Sequence, residues 1–319
     1  MTTLSFEFFP TQTDEGTSKL LAVRDELAAF DPEFFSVTYG AGGSTRDRTF
    51  AMVEAIQQRG IAAAPHLSCV GDSTADLRDL LQRYQALGIK RIVTLRGDLP
   101  SGSGLASSEL RYANELVEFI RKETGDHFTL EVAAYPEMHP QASSFEKDLQ
   151  NFVRKVKAGA DSAITQYFFN ADSYFHFVDR VRAMGVDIPI IPGIMPITNY
   201  SKLARFSDSC GAEIPRWIRK QLEAYGDDSD SIVKFGEEVV TDMCRRLLDG
   251  GAPGLHFYTL NQAKPSLAVW KNLVCCFPVS RMRLSFPFFC AVRIHSAADP
   301  RSQHENRLLR RPACPSAIF

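Results

Sequence analysis

Glu7 is the residue whose type and setting ask most of chemistry. It stands in the run Ser5-Phe6-Glu7-Phe8-Phe9-Pro10. A carboxylate among three phenylalanines is predicted to be desolvated, with its pKa raised toward the range of a general acid that donates a proton near neutral pH. The alternative is a buried ion pair with a lysine or arginine from a neighbouring strand. Arg96-Gly97-Asp98 sets a fixed cation, a flexible backbone and a carboxylate side by side just past an apolar run. That suits an anionic cofactor and a polar ring, though Asp98 read alone could equally neutralise Arg96. His66 closes another apolar run and reads as hydrogen-bonded structure. No HxH or HExxH spacing and no thiolate set accompanies it, so no metal is predicted. Tyr135-Pro136-Glu137 and Gln166 supply polar groups at the ends of two further runs.

Two weaker signals remain open. Gly40-Ala41-Gly42-Gly43-Ser44-Thr45 approaches a dinucleotide fingerprint, but Thr45 stands at the third glycine position and the next apolar run ends in His66 rather than an acid. Glycines for backbone approach, with Ser44 or Thr45 capping the helix that begins Arg46-Asp47-Arg48, explain it as well. Asp148, Asn151 and Arg154 or Lys155 share one face of a predicted helix. That face offers acceptors for a hydroxylated chain and cations for phosphates, or is simply a solvated surface.

These residues need a scaffold that gathers strand ends. Eight short apolar runs are predicted as strands, at Leu4 to Phe8, Phe34 to Thr38, Ile61 to Leu67, Arg91 to Leu95, Phe128 to Ala133, Ser162 to Tyr167, Ile188 to Pro192 and Gly254 to Thr259. Each is followed by a segment of helical periodicity, such as the stripe Leu77, Leu80, Leu81, Tyr84 behind Ser73-Thr74. Eight βα units predict an α/β fold, a closed (β/α)8 TIM barrel, whose loops after the strands build the site. Extra helices at Ser201 to Asp208 and Pro215 to Ala224 are predicted between strands seven and eight.

With 45% hydrophobic and 23% charged residues, the chain is globular by composition. A formal charge of -2 gives no global attraction to nucleic acid or an anionic membrane, so small molecules are the expected partners. No run approaches the length of a membrane span, and Met1 leads straight into a strand without a signal pattern, so a cytoplasmic location is expected. Cys69, Cys210 and Cys244 read as free thiols. Residues 1–273 form the predicted barrel domain. From Val274 to Phe319 come seven arginines, no lysine, two acids and four of the seven cysteines, without a sustained period. That segment is expected to be a poorly ordered basic tail outside the barrel.

From about Leu4 to Leu273 the chain resembles the bacterial methylenetetrahydrofolate reductase family. The resemblance rests on SFEFFP (Ser5 to Pro10), SVTYGAGGSTRDRT (Ser36 to Thr49), APHLSC (Ala64 to Cys69), LRGDLP (Leu95 to Pro100), AAYPEMHP (Ala133 to Pro140), ITQYFF (Ile164 to Phe169), PGIMPI (Pro192 to Ile197) and HFYTLN (His256 to Asn261), in that order. It implies FAD across the C-terminal end of the barrel, with NADH or NADPH and then methylenetetrahydrofolate using one flavin face in a ping-pong sequence. By matching positions it implies flavin contacts at Tyr39, Ala41, His66, Arg96, Gly97 and Asp98. Tyr135, His139, Asp148, Asn151, Arg154 and Lys155 would complete that set. Glu7 would be the acid that helps open the methylene bridge to an iminium, and Asp98 would bind the pterin. Gln166 would touch both substrates, Thr38 the pyridine nucleotide, and Phe206 would stack on nicotinamide or folate. The product would be 5-methyltetrahydrofolate, which supplies methyl groups for methionine synthesis, and the enzyme would be a homo-oligomer. Lys202 and Gln262 depart from the Gln and Arg of the best-known relatives. A flavin-free pterin enzyme and a noncatalytic barrel are the competing readings.

Overall fold

A computed structural model describes residues 2–40, 45–70, 72–97 and 109–276. Strand and helix alternate through the first half: β1 (Thr3–Phe8), α1 (Asp14–Ala28), β2 (Phe34–Val37), α2 (Arg46–Gln57), β3 (Ala63–Ser68), α3 (Thr74–Ala86), β4 (Arg91–Leu95) and α4 (Ala113–Thr124). The alternation continues with β5 (Thr129–Ala134), α5 (Phe145–Lys157), β6 (Ser162–Thr165), α6 (Ala171–Ala183), β7 (Ile190–Ile191) and β8 (Gly193–Ile194). Three helices then intervene, α7 (Tyr200–Cys210), α8 (Arg216–Tyr225) and α9 (Ser229–Asp249), before β9 (Gly254–Tyr258) and α10 (Ala263–Cys276).

The strands pair in parallel in the order β7-β6-β5-β4-β3-β2-β1-β9-β8. The predicted seventh strand, Ile188 to Pro192, contains only β7; past Pro192 the chain pairs again as β8. Proline has no N–H to donate to a ladder. β7 pairs with β6 and β8 with β9, so the two pieces face opposite neighbours and the sheet forms a nearly closed barrel. The Pro192 carbonyl still accepts from His256 N at 3.0 Å. The remaining predicted strands fall within a residue or two of their expected places, and the two extra helices are α7 and α8.

Alternation along each strand builds two distinct interiors. Phe6, Phe8, Phe35 and Phe257 point outward into the layer beneath the helices, where Phe8 stacks on Phe35 at 5.2 Å and Phe6 lies 5.9 Å from Phe257. Truncating one of these rings to alanine would cost about 3–5 kcal/mol by lost transfer energy and the cavity left behind. Inside the barrel a small apolar plug of Phe34, Ala64, Val93 and Ile164 separates the two ends. At the N-terminal end Arg91 pairs with Glu33 and with the buried Glu131, which also accepts from Ser162. That leaves the C-terminal end for chemistry.

Helix starts follow the sequence signals. Ser73 and Asp76 form a reciprocal capping box at α3, and the hydroxyl of Ser144 accepts from Lys147 N at α5. Each such cap is worth about 1 kcal/mol. Thr45 holds the N-cap position of α2 but makes no cap bond. Its hydroxyl instead accepts from Gly40 N at 2.6 Å and meets Thr49 Oγ1 at 3.1 Å.

Candidate active site

Because the strands are parallel, their C-terminal ends make one rim, and Glu7, Thr38, His66, Arg96, Tyr135, Gln166 and Tyr258 all come from those ends or the loops just beyond. Glu7 points into the barrel, not into the phenylalanine layer. The expectation of a raised pKa is therefore overturned: Phe6 and Phe8 are its neighbours in sequence but occupy the opposite face of β1. Burial does act to raise the Glu7 pKa. The imidazoles of His256 and His66 beside it outweigh burial and bring the carboxyl down to about 2. The partners are also not the lysine or arginine that an ion pair would suggest. His66 Nε2 stands 3.3 Å and His256 Nε2 3.8 Å from Glu7 Oε2. Both Nε2 atoms are buried and neither has a well-aligned hydrogen-bond partner.

Strand register fixes this cluster. Ser5 is the partner of His256 and Glu7 the partner of Tyr258 across the β1–β9 ladder. The Ser5 hydroxyl meets His256 Nδ1 at 2.8 Å. Tyr258 donates its hydroxyl to the Thr165 carbonyl at 2.7 Å, and its ring lies edge-on to His256 at 5.5 Å. Burial, with the nearby Glu7 charge next, pushes the Tyr258 phenol well above its ordinary value, so it stays neutral. Asn261 then clamps the end of β1, accepting from Phe9 N at 3.0 Å and donating to the Phe9 carbonyl at 2.9 Å. Asn261 holds φ +58°, a left-handed conformation that asparagine tolerates well.

A second group gathers around the loop after β5. The rings of Tyr135 and His139 meet edge-on at 4.5 Å. Asp148, at the start of α5, accepts from His139 N at 2.8 Å. Arg96 Nη1 donates to Gln141 Oε1 at 2.7 Å, tying the β4 loop to the same segment. Further along α5, Arg154 donates to Asn151 at 3.0 Å in solvent, while Lys155 turns inward and donates to the Ala133 carbonyl. Burial lowers the Lys155 pKa to about 8, against a smaller opposing effect of Asp148. Gly97 has φ +87°, and a β-carbon there would lie 2.7 Å from Ser68 Cβ, so the loop runs tight against β3.

The other predicted residues sit around these groups. Tyr39 donates to Asp72 at 2.6 Å, with Arg46 also on Asp72 at 3.5 Å. Thr38 N donates to the Phe8 carbonyl, and the Thr38 carbonyl accepts from Thr49, both at 2.9 Å. Gln166 takes Tyr167 N on its own amide oxygen at 3.0 Å. Phe206, on α7, is 47% exposed, next to Ser207, whose hydroxyl meets Tyr167 at 3.1 Å. A small cleft is lined by Tyr135, Glu137, Gln166, Tyr167 and Cys210. Lys202 and Gln262 are exposed. Ala41 and Asp98 lie outside the described residues, as does the segment from 277 onward. Among the described residues no group of three or more His, Cys, Asp or Glu is placed to hold a metal ion.

Reasoning from strand ends missed Ser5, His256, Gln141 and Asn261. The signal for His256 was available: in Leu255-His256-Phe257-Tyr258 polar and apolar residues alternate, which turns the histidine and the tyrosine to the same face.

A family model described as methylenetetrahydrofolate reductase matches residues 1–274. The 5,10-methylenetetrahydrofolate reductase of Escherichia coli (strain K12) is 43% identical over 271 residues, 85% of this chain and 90% of that protein. A probable methylenetetrahydrofolate reductase (NADH) of Oryza sativa subsp. japonica is 36% identical over 285 residues, 85% of this chain and 48% of the plant protein. Among solved structures, an uncharacterized protein from Clostridium thermocellum that binds two copies of 5-methyl-5,6,7,8-tetrahydrofolic acid superposes with a TM-score of 0.60 at 16% identity. The match covers 84% of this chain and 93% of that one, and it speaks to the fold alone.

Proposed function

This chain belongs to the methylenetetrahydrofolate reductase family and reduces 5,10-methylenetetrahydrofolate to 5-methyltetrahydrofolate; from that premise we propose how its residues divide the work. Family membership implies a flavin, and we take it to be FAD, reduced by NADH or NADPH. When bound, the flavin would supply the two-electron relay between the nicotinamide and the one-carbon unit of the folate, one substrate after the other.

The rim suits that group on physical grounds. Asp148 and Asn151 offer carboxylate and amide oxygens to a hydroxylated chain, and Arg154 with Lys155 offers cations for phosphates on the same helix. Tyr39, Ala41, His66, Arg96, Gly97 and Asp98 would hold the ring system from the other strands, with Tyr135 and His139 beside them. The missing side chain of Gly97 lets its loop lie against Ser68, which sets the backbone of that loop at the rim.

Glu7 would give its proton to the nitrogen that departs when the methylene bridge opens. The electron pair of the broken C–N bond stays on that nitrogen, and an electrophilic iminium carbon is left. Asp98 would bind the pterin, Gln166 would orient both substrates, Thr38 would hold the pyridine nucleotide, and the exposed ring of Phe206 would stack on whichever ring enters. The observation that carries this assignment is the single carboxylate of Glu7 set between two buried imidazole nitrogens at the rim.

The test is spectroscopic. Purified protein should show a flavin spectrum, bleach on anaerobic NADH addition and recover with methylenetetrahydrofolate. The variant Glu7→Gln should still bleach and should recover at least about 100-fold more slowly, the lower end of what a general acid contributes. Colourless protein that takes up no FAD, or full-speed recovery in the variant, would reject the assignment. No helix among the described residues is long and apolar enough to cross a membrane. A cytoplasmic homo-oligomer completes the proposal; α10 carries the barrel on to Cys276, with Val274 packed against the core, beyond the expected boundary at 273.

A further inference from the structure

We propose that the ring of Phe9 is the platform on which the p-aminobenzoyl ring of the folate stacks, and that Asn261 is the positioning residue that holds it there. The proposal deepens the reading of Glu7 given above and rests on it.

The chemistry of the substrate says where an aromatic surface is needed. The methylene carbon bridges a pterin nitrogen and the nitrogen that carries the p-aminobenzoyl ring. A 5-methyl product keeps that carbon on the pterin, so the nitrogen that departs is the aryl one. An acid that protonates it therefore has the p-aminobenzoyl ring close beside it. Phe9 stands two residues past Glu7, about 7 Å along an extended chain, and strand alternation gives the two residues the same side.

A single exposed ring is ordinary on a protein surface. Phe9 differs in how firmly its backbone is held while its ring is left out. Phe6 and Phe8 are fully buried, whereas Phe9 is 44% exposed and stacks on no other ring among the described residues. Its N–H and its carbonyl are both taken by the side-chain amide of Asn261, at 3.0 and 2.9 Å, as a peptide group of a neighbouring strand would take them. The turn that presents this amide is strained. Leu260 and Asn261 both have left-handed backbone angles, φ +48° and +58°, and leucine adopts that region only where its surroundings enforce it. Thr259 ties the same turn to the acid, its hydroxyl donating to the Glu7 carbonyl at 2.6 Å and accepting from Asn261 N at 3.1 Å. One short turn thus fixes Glu7 and Phe9 relative to each other.

Position around the rim agrees. β1, β9 and β8 are neighbours in that order, so the end of β1, the turn 259–261 and α7, which follows β8, make one sector. Phe206 of α7 is another exposed ring in that sector. A folate that brings its departing nitrogen to Glu7 finds an aromatic surface there for the ring on that nitrogen. The reacting ring of a nicotinamide carries a ribose instead, so Phe9 serves the folate and leaves the nucleotide alone.

The test pairs variants with a truncated ligand on the full-length flavoprotein. Dissociation constants are read from the flavin spectrum for 5-methyltetrahydrofolate and for a tetrahydropterin that lacks the p-aminobenzoylglutamate. Phe9→Ala should weaken 5-methyltetrahydrofolate about three- to tenfold, the worth of an aromatic stack, and leave the tailless pterin within about twofold. Phe9→Tyr should restore the parent value. The KM for NADH and the rate of flavin reduction should stay within about twofold in both variants. Asn261→Gly keeps the left-handed conformation and removes only the amide. It should weaken 5-methyltetrahydrofolate as Phe9→Ala does, and should add nothing in a Phe9→Ala background. Equal weakening of both ligands, an equal rise in the KM for NADH, or full additivity of the two substitutions would overturn the proposal. If Glu7→Gln reoxidises at the parent rate, the reading of Glu7 fails and the proposal with it. If Glu7→Gln reoxidises slowly while Phe9→Ala binds 5-methyltetrahydrofolate as tightly as the parent protein, the acid stands and the platform alone is wrong.

Discussion

Gly193 lies directly against Tyr258: a β-carbon built on it would sit 2.6 Å from Tyr258 Cε2 and 2.2 Å from the Thr165 carbonyl oxygen. The obstructing groups are a backbone carbonyl and an aromatic side chain that is itself hydrogen-bonded, and neither can step aside. Gly193→Ala should cost at least about 3 kcal/mol, seen as a large drop in the thermal midpoint or as insoluble protein. A stable Gly193→Ala protein with an unchanged midpoint would mean that the β8–β9 contact is looser than described.

Lys155 offers a prediction with a definite sign. Its folded pKa of about 8 lies below its ordinary value of 10.5. Between those limits the unfolded chain binds more protons than the folded one, so Lys155 makes stability rise with pH from about 8 to about 10.5. Lys155→Met should abolish that rise in denaturant titrations across the window. If Lys155 has the role proposed above, the same variant should weaken FAD binding, read as a raised dissociation constant in flavin fluorescence.

Glu137 should behave in the opposite way. Burial raises its carboxyl to about 6 from 4.5, partly offset by the bond it accepts from Glu213 N and reinforced by the Glu213 charge. Its ionisation therefore destabilises the fold as pH rises from 4.5 through about 6. Glu137→Gln keeps an oxygen for Glu213 N and should stabilise the protein at pH 8 by about 1 kcal/mol or less, since solvent screens this partly exposed group, with no gain at pH 4. A gain of equal size at both values would point to a cause other than charge.

Phe206 separates binding from folding. Since the ring is 47% exposed on α7, Phe206→Ala should change stability by less than about 1 kcal/mol. Loss of a stacking surface should raise the KM for NADH or for the folate several-fold. An unchanged KM for both would remove Phe206 from the site.

The fold was legible because buried parallel strands read as short apolar runs, and Ser73, Ser144 and Asn170 mark helix starts by ordinary capping chemistry. Strand seven was expected to end at Pro192, but pairing resumes just past the proline at Gly193–Ile194, on the other neighbour. The environment of Glu7 was not legible from its neighbours in the chain. In a strand, adjacent residues face opposite ways, so the phenylalanines that suggested desolvation belong to another layer, and the groups that set its charge arrive from positions 66 and 256. The α5 face was only half legible. Spacing placed Asp148, Asn151 and Lys155 together, but not the inward turn of Lys155 onto Ala133.

The first and last strands of the barrel lie side by side, with Ser5 and His256 separated by 251 positions in the chain. During synthesis β1 leaves the ribosome long before either β9 or its histidine exists. Glu7 consequently waits through almost the whole of translation without the group across from it, and the Thr259 hydroxyl that will bond the Glu7 carbonyl is equally late. Closing the cylinder and completing the surroundings of Glu7 are one event, so a chain cut short before His256 can have neither.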